Sequence, residues 1–113
     1  MDLQDQTQPV GNVSNIFVRA ASGSSTPFYG WCWPGNSAWI DVLNENAQNF
    51  WANLFDYQVF KGSNYMYSFW NDMNEPSVFS TSTGTMPMDA VHVKADGTEV
   101  SHLELHNAYG ALH

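Results

Sequence analysis

Basic residues are scarce in this sequence. Three Lys and Arg stand against eleven Asp and Glu in 113 residues, a formal net charge of −8. A surface able to neutralise a run of phosphates cannot be built from three cations, so nucleic-acid binding is excluded. Cysteine is almost absent too. Cys32 stands alone, so no internal disulfide can staple the chain. No apolar run approaches the roughly 18 residues of a membrane-spanning helix, so no membrane partner is expected. The segment Met1 to Asn12 has neither the basic start nor the apolar stretch of a secretory leader. With Met1 as the true start, no secretory route is encoded. Asn12-Val13-Ser14 fits the N-glycosylation pattern, but such triplets arise often by chance.

Aromatic residues, by contrast, are abundant. Five tryptophans, five tyrosines and seven phenylalanines argue against disorder. They are also many for the core of one modest domain, so some rings are expected to face a ligand or to belong to a larger core.

Ile16 to Arg19 reads as a strand end, and the Ser/Gly/Thr/Pro-rich stretch after it as a loop. Phe28 to Trp39 places Trp31, Trp33 and Trp39 among Gly30, Pro34 and Gly35, which predicts an irregular, non-helical segment. Ala47, Phe50, Trp51, Leu54 and Phe55 repeat at i, i+3, i+4, i+7, i+8, so Asn44 to Phe55 is expected to be helical with Asn44 as its N-cap. Lys61 to Asn64 carries turn chemistry. The run YMYSFW, Tyr65 to Trp70, then predicts a strand buried on both faces, and loop, helix, turn and strand make half of a βαβ unit. Asp96-Gly97 predicts a two-residue hairpin turn inside Val91 to Val100. Ser101 onward reads as a helix without a breaker before Gly110.

In open or barrelled α/β sheets, ligands bind beyond the carboxyl ends of strands. The exit of YMYSFW carries Asn71, Asp72, Asn74 and Glu75. Two carboxylates there suit glycoside hydrolysis, which uses a pair of them. The competing reading is that one of them merely caps the next turn. Tryptophans beside acidic and amide groups suit sugars, because an indole stacks on the C–H face of a pyranose. Trp33 and Trp70 are expected to be exposed for that purpose, and Trp31, Trp39 and Trp51 to be core. His102 and His106 are four apart and could share a helix face, but the Glu that zinc peptidases need after the first His is Leu103. No third ligand is visible, so no metal is expected. His92 and His113 carry no signal of their own. Cys32 reads as a buried, inert thiol.

The string WNDMNEPSVF at Trp70 to Phe79 resembles the signature of glycoside hydrolase family 31. GWCWPG at Gly30 to Gly35 is similar to the branch of that family containing glucosidase II α-subunits and neutral α-glucosidases. The resemblance runs from about Phe17 to Gly110 and includes Asp41, Asn44, WANLF at Trp51 to Phe55, Gly62-Ser63, His102 and His106-Asn107. It implies an α/β fold: a slice of a (β/α)₈ TIM barrel, from about the end of strand 3 to helix 4, spanning 17–113 with 1–16 unassigned. It implies retaining exo-α-glucoside hydrolysis, with Asp72 as nucleophile and Glu75 as a supporting carboxylate rather than the acid/base. Trp33, Trp70 and Met73 would border the sugar. No cofactor is implied. The implied partners are an α-glucoside or oligosaccharide substrate and, for a full-length protein, a β-subunit like that of glucosidase II. The implied compartment is the endoplasmic-reticulum lumen. The family's acid/base, on a later strand, is missing here, so the 113 residues alone are expected to be inactive. The other readings are a non-catalytic carbohydrate-binding remnant, or a relative with a changed reaction: α-xylosidase, transglycosylase or glucan lyase. Leu103, Val100-Ser101, Ile40 and Glu45 stand where the family has Arg, Trp-Glu, Pro and Pro.

Overall fold

In the computed structural model, residues 15–62 and 64–113 are described. The glycosylation triplet, the leader reading and Ser63 lie outside them. The described residues form two antiparallel hairpins and two helices in the order β1 (Tyr29–Cys32), β2 (Gly35–Ala38), α1 (Glu45–Leu54), β3 (Val91–Val93), β4 (Glu99–Ser101) and α2 (His102–Leu112).

The aromatic segment expected to be irregular is the first hairpin. β1 pairs with β2 from Tyr29↔Ala38 to Cys32↔Gly35. Trp33 and Pro34 form its two-residue turn, where a proline removes no ladder hydrogen bond. Gly35 takes φ +107°, a conformation that side chains disfavour. Gly and Pro excluded a helix here, but at the turn they are compatible with a sheet.

The apolar residues Ile16 to Val18 cross between the hairpins. Val18 N–H donates to Trp39 O at 2.9 Å and Asp41 N–H donates to Ile16 O at 2.8 Å. On the other side Arg19 and Val91 exchange both backbone bonds at 2.9 Å. Two cores form around this segment. Ile16 and Phe17 pack with Ile40, Ala47, Leu105 and Tyr109, while Val18 packs with Val78, Met86 and Ala90.

Helix α1 forms as its periodicity predicts. The Asn44 side chain accepts the N–H groups of Asn46 and Ala47, satisfying donors that a helix start leaves free. Ala47 is buried, and Phe50 and Trp51 pack against the first core. The Asp96-Gly97 hairpin also forms. Its turn is longer than two residues: Gly97 N–H donates to Lys94 O at 2.9 Å, and Gly97 at φ +84° then lets Lys94 N–H reach Thr98 O. Helix α2 continues through Gly110, which the sequence marked as a breaker.

The run Tyr65 to Trp70 departs from expectation. It is neither strand nor buried: Tyr65 is 84% exposed and Trp70 89%. A strand buried on both faces needs a hydrogen-bonding neighbour along its edges and layers above and below. Among the described residues no strand pairs with this run, and both sheets are antiparallel, so no half of a βαβ unit forms. Its clearest anchor is Phe69, which meets Phe55 edge-on at 4.4 Å.

Candidate functional site

The segment after Trp70 holds the candidate carboxylates. Asp72 is exposed, and its Oδ1 accepts the N–H of Met73 at 2.9 Å. Met73 itself sits at φ +56°, a left-handed conformation uncommon for a residue with a Cβ. Asn74 turns inward and donates through Nδ2 to Gly110 O of α2 at 2.9 Å. Glu75 Oε2 accepts from Ser77 Oγ at 3.1 Å.

Further along, the segment docks on the first hairpin. Phe79 N–H donates to Trp31 O at 2.7 Å, and Trp31 N–H donates to Ser80 Oγ at 3.0 Å. Val78 beneath lies so near Gly30 that a Cβ there would stand 2.7 Å from Val78 Cγ1. The two aromatic-rich motifs therefore meet edge to edge.

A cavity of about 290 Å³ opens on one side of Asp72. Trp70, Asp72 and Met73 line it with Trp39, Trp51, Tyr109 and His113. A second, more polar cavity of about 370 Å³ lies on the other side, lined by Asp72, Glu75, His106 and Asn107 among others. Trp70, Asp72 and Met73 are thus brought together, and Glu75 shares a wall with Asp72 only in the second cavity. Trp33, 61% exposed, borders neither and packs edge-on against Phe79 at 4.6 Å. Trp31 is 59% exposed, not core. It faces outward because alternation on β1 turns Gly30 inward instead. Trp39 and Trp51 are half-buried against the two cores. Cys32 is half-buried rather than buried, with Sγ 3.4 Å from Ser37 Oγ.

Sequence reasoning missed the cavity wall formed by Tyr109 and His113, which only the docking of α2 brings there. It also missed a chain of buried polar groups behind that wall. Asp41 Oδ1 lies 3.2 Å from His92 Nδ1, His92 Nε2 lies 3.0 Å from His102 Nδ1, and His102 Nε2 lies 3.1 Å from His106 Nδ1. Asp41, His92 and His102 are fully buried or nearly so. Burial, and then the positive charge that His92 and His106 can carry, push the His102 pKa down to about 4. Burial and then the charge of Asp41 hold the Tyr109 hydroxyl protonated well above its usual range; it donates to Ile40 O at 2.9 Å. His102 and His106 do share a helix face, and they bond each other. Asp41 matched the family motif, but nothing in the sequence linked it to His92, 51 residues on.

A carboxylate between an indole-lined cavity and an amide-rich one can meet both the apolar face and the hydroxyls of a sugar. Residues 4–113 match the model of the glycosyl hydrolases family 31 TIM-barrel domain. The chain is 50% identical over 94 residues to a probable glucan 1,3-alpha-glucosidase of Oryza sativa subsp. japonica, covering 83% of this chain and 10% of that protein. It is 42% identical over 95 residues to neutral alpha-glucosidase AB of Homo sapiens, covering 84% and 9%. Its fold resembles the crystal structure of an ER glucosidase II heterodimeric complex of catalytic subunit and the binding domain of the regulatory subunit, with TM-score 0.72 and 41% identity, covering 86% of this chain and 10% of that one. The chain thus spans about a tenth of the length of the relatives it matches.

Proposed function

The chain belongs to glycosyl hydrolase family 31, and on that premise we propose that it is a slice of the (β/α)₈ barrel of a retaining exo-α-glucosidase with Asp72 as its nucleophile. The slice is residues 17–113, running from about the end of barrel strand 3 to helix 4. The observation that carries the assignment is Asp72 itself. It stands at the junction of two cavities, on a segment held by Asn74 to α2 and by Phe79 to β1.

The chemistry follows from a carboxylate beside an apolar wall. One oxygen of Asp72 attacks the anomeric carbon of an α-glucoside and forms a C–O bond as the glycosidic C–O bond breaks. The leaving oxygen takes its proton from an acid/base carboxyl that we place outside these 113 residues, so the slice by itself is inactive. Water then attacks the glycosyl-enzyme and frees the carboxylate. Trp70 and Met73 face the sugar. Trp33, packed on Phe79, lines neither cavity. Glu75, the supporting carboxylate, is a second negative charge that shares the wall of the second cavity with Asp72. For the full-length protein we extend this to an α-glucosyl oligosaccharide substrate, a regulatory subunit of the kind seen in the glucosidase II heterodimer, and the endoplasmic-reticulum lumen.

The test is Asp72→Asn in the full-length enzyme. Turnover and covalent labelling by a mechanism-based glucoside inhibitor should both disappear. Retained labelling removes Asp72 from the nucleophile role.

A further inference from the structure

We propose that Asp41, His92, His102 and His106 form a buried proton relay that opens into the cavity shared by Asp72 and Glu75. The direction of the relay follows from Asp41. Its Oδ2 accepts the N–H of Val93 at 2.6 Å, and its Oδ1 accepts the N–H of Leu43 at 3.2 Å. Both oxygens are committed as acceptors, so His92 must turn an N–H toward Oδ1, and the proton sits on His92 Nδ1. His92 Nε2 is then a bare lone pair and accepts from His102 Nδ1–H. By the same step His102 Nε2 accepts from His106 Nδ1–H. His106 is left with a bare Nε2, which makes no hydrogen bond among the described residues, on a ring that lines the second cavity.

An added proton can therefore enter at His106 Nε2. The His106 Nδ1 proton passes to His102 Nε2, and the His102 Nδ1 proton passes to His92 Nε2. His92 ends as an imidazolium paired with Asp41, and every other ring is neutral in its opposite tautomer. No atom but hydrogen moves. The middle ring holds no charge at rest because it is buried between two other imidazoles, so it passes the proton on. Tyr109, packed 5.8 Å from His92 and 5.9 Å from His102 by ring centroid, keeps its own proton on Ile40 O and is outside the path. On the cavity side, Asp72 and Glu75 are the carboxylates that share the wall with His106. His106 is the relay's opening to the cavity.

Nitrogen-15 NMR of the imidazole rings in the unmodified full chain tests this. At pH 8, His92, His102 and His106 should all carry the proton on Nδ1. On acidification His92 should become doubly protonated while His102 and His106 switch to Nε2–H. Nε2–H on His102 or His106 at pH 8 overturns the relay. So does a proton that stays on His106 with the other two rings unchanged. The relay's use in catalysis rests on Asp72 being the nucleophile. Asp72→Asn should end turnover in the full-length enzyme and leave the ring tautomers as they are, so the two readings fail separately.

Discussion

Asn74 and Gly110 meet across 36 residues of sequence. Asn74 Nδ2 donates to Gly110 O at 2.9 Å, and a Cβ at Gly110 would stand 2.9 Å from Asn74 O. The glycine inside α2 is there because the segment carrying Asp72 lies against it. Helix and candidate nucleophile are thereby fixed to one another.

Gly110→Ala reverses the usual rule as a result. In an exposed helix this change gains about 1 kcal/mol. Here the new carbon presses on a backbone oxygen that cannot swing aside, and overpacking of that kind costs about 1–3 kcal/mol. Urea unfolding should show a net loss of stability. A variant more stable than the parent would mean the segment yields freely at Asn74.

The N-cap of α1 gives a simpler expectation. Asn44 Oδ1 accepts from Asn46 N–H at 2.9 Å and from Ala47 N–H at 3.4 Å. Asn44→Ala should cost about 1 kcal/mol, and Asn44→Asp or Asn44→Ser should recover most of it. Equal stability of all three substitutions would show that packing of Ala47 alone holds the helix.

What could be read in the sequence was the local part of the fold. Helix α1 was legible because its apolar spacing and its cap agree, and the β3–β4 hairpin because Asp96-Gly97 demands a turn. Tyr65 to Trp70 was misread because burial is not a property of the run itself: six nearly continuous apolar residues become a strand only where neighbours pair with them. The proximity of Trp70, Asp72 and Met73 follows from their adjacency in the chain, so that part of the site was readable. The Asp41–His92–His102 chain was not, since it joins three elements brought together only by packing around Ile16 to Arg19.

Met73 gives a test of backbone strain at the site. At φ +56° a residue with a Cβ stores about 1–2 kcal/mol, and a β-branched one more. Met73→Gly should keep stability within about 1 kcal/mol, the relief offsetting the extra freedom of glycine. Met73→Val should cost about 2 kcal/mol or more. Chemical denaturation of the two variants decides it, and a Val variant as stable as the parent would show that the turn relaxes.

The pH dependence of stability follows from His102. Its pKa falls from 6.5 to about 4 on folding, chiefly through burial. Above about pH 6.5 the ring is neutral in both states, and its contribution to stability is complete. Between 6.5 and 4 the unfolded chain binds a proton that the folded one refuses, so stability falls as pH falls. Below about 4 this residue adds no further loss. The slope approaches about 1.4 kcal/mol per pH unit, and the total is at most about 3.5 kcal/mol. His113, lowered by the same burial, acts with the same sign. Asp96 and Glu99 have lowered pKa values, Asp96 mainly through its bonds to Thr98 and Glu99 mainly through its bond to Ser22. Their contributions are present above their unfolded values of 4.5 for Glu99 and 3.8 for Asp96 and are lost as the pH falls from there through the folded values, so Glu99 overlaps the foot of the His102 window and Asp96 acts below it. Urea midpoints at pH 7.5, 5.5 and 4.5 should therefore drop steadily, and His102→Gln should flatten the drop. Equal midpoints at pH 7.5 and 5.5 in the parent chain would mean that His102 is solvated and charged in the folded state, which its buried place between His92 and His106 does not allow.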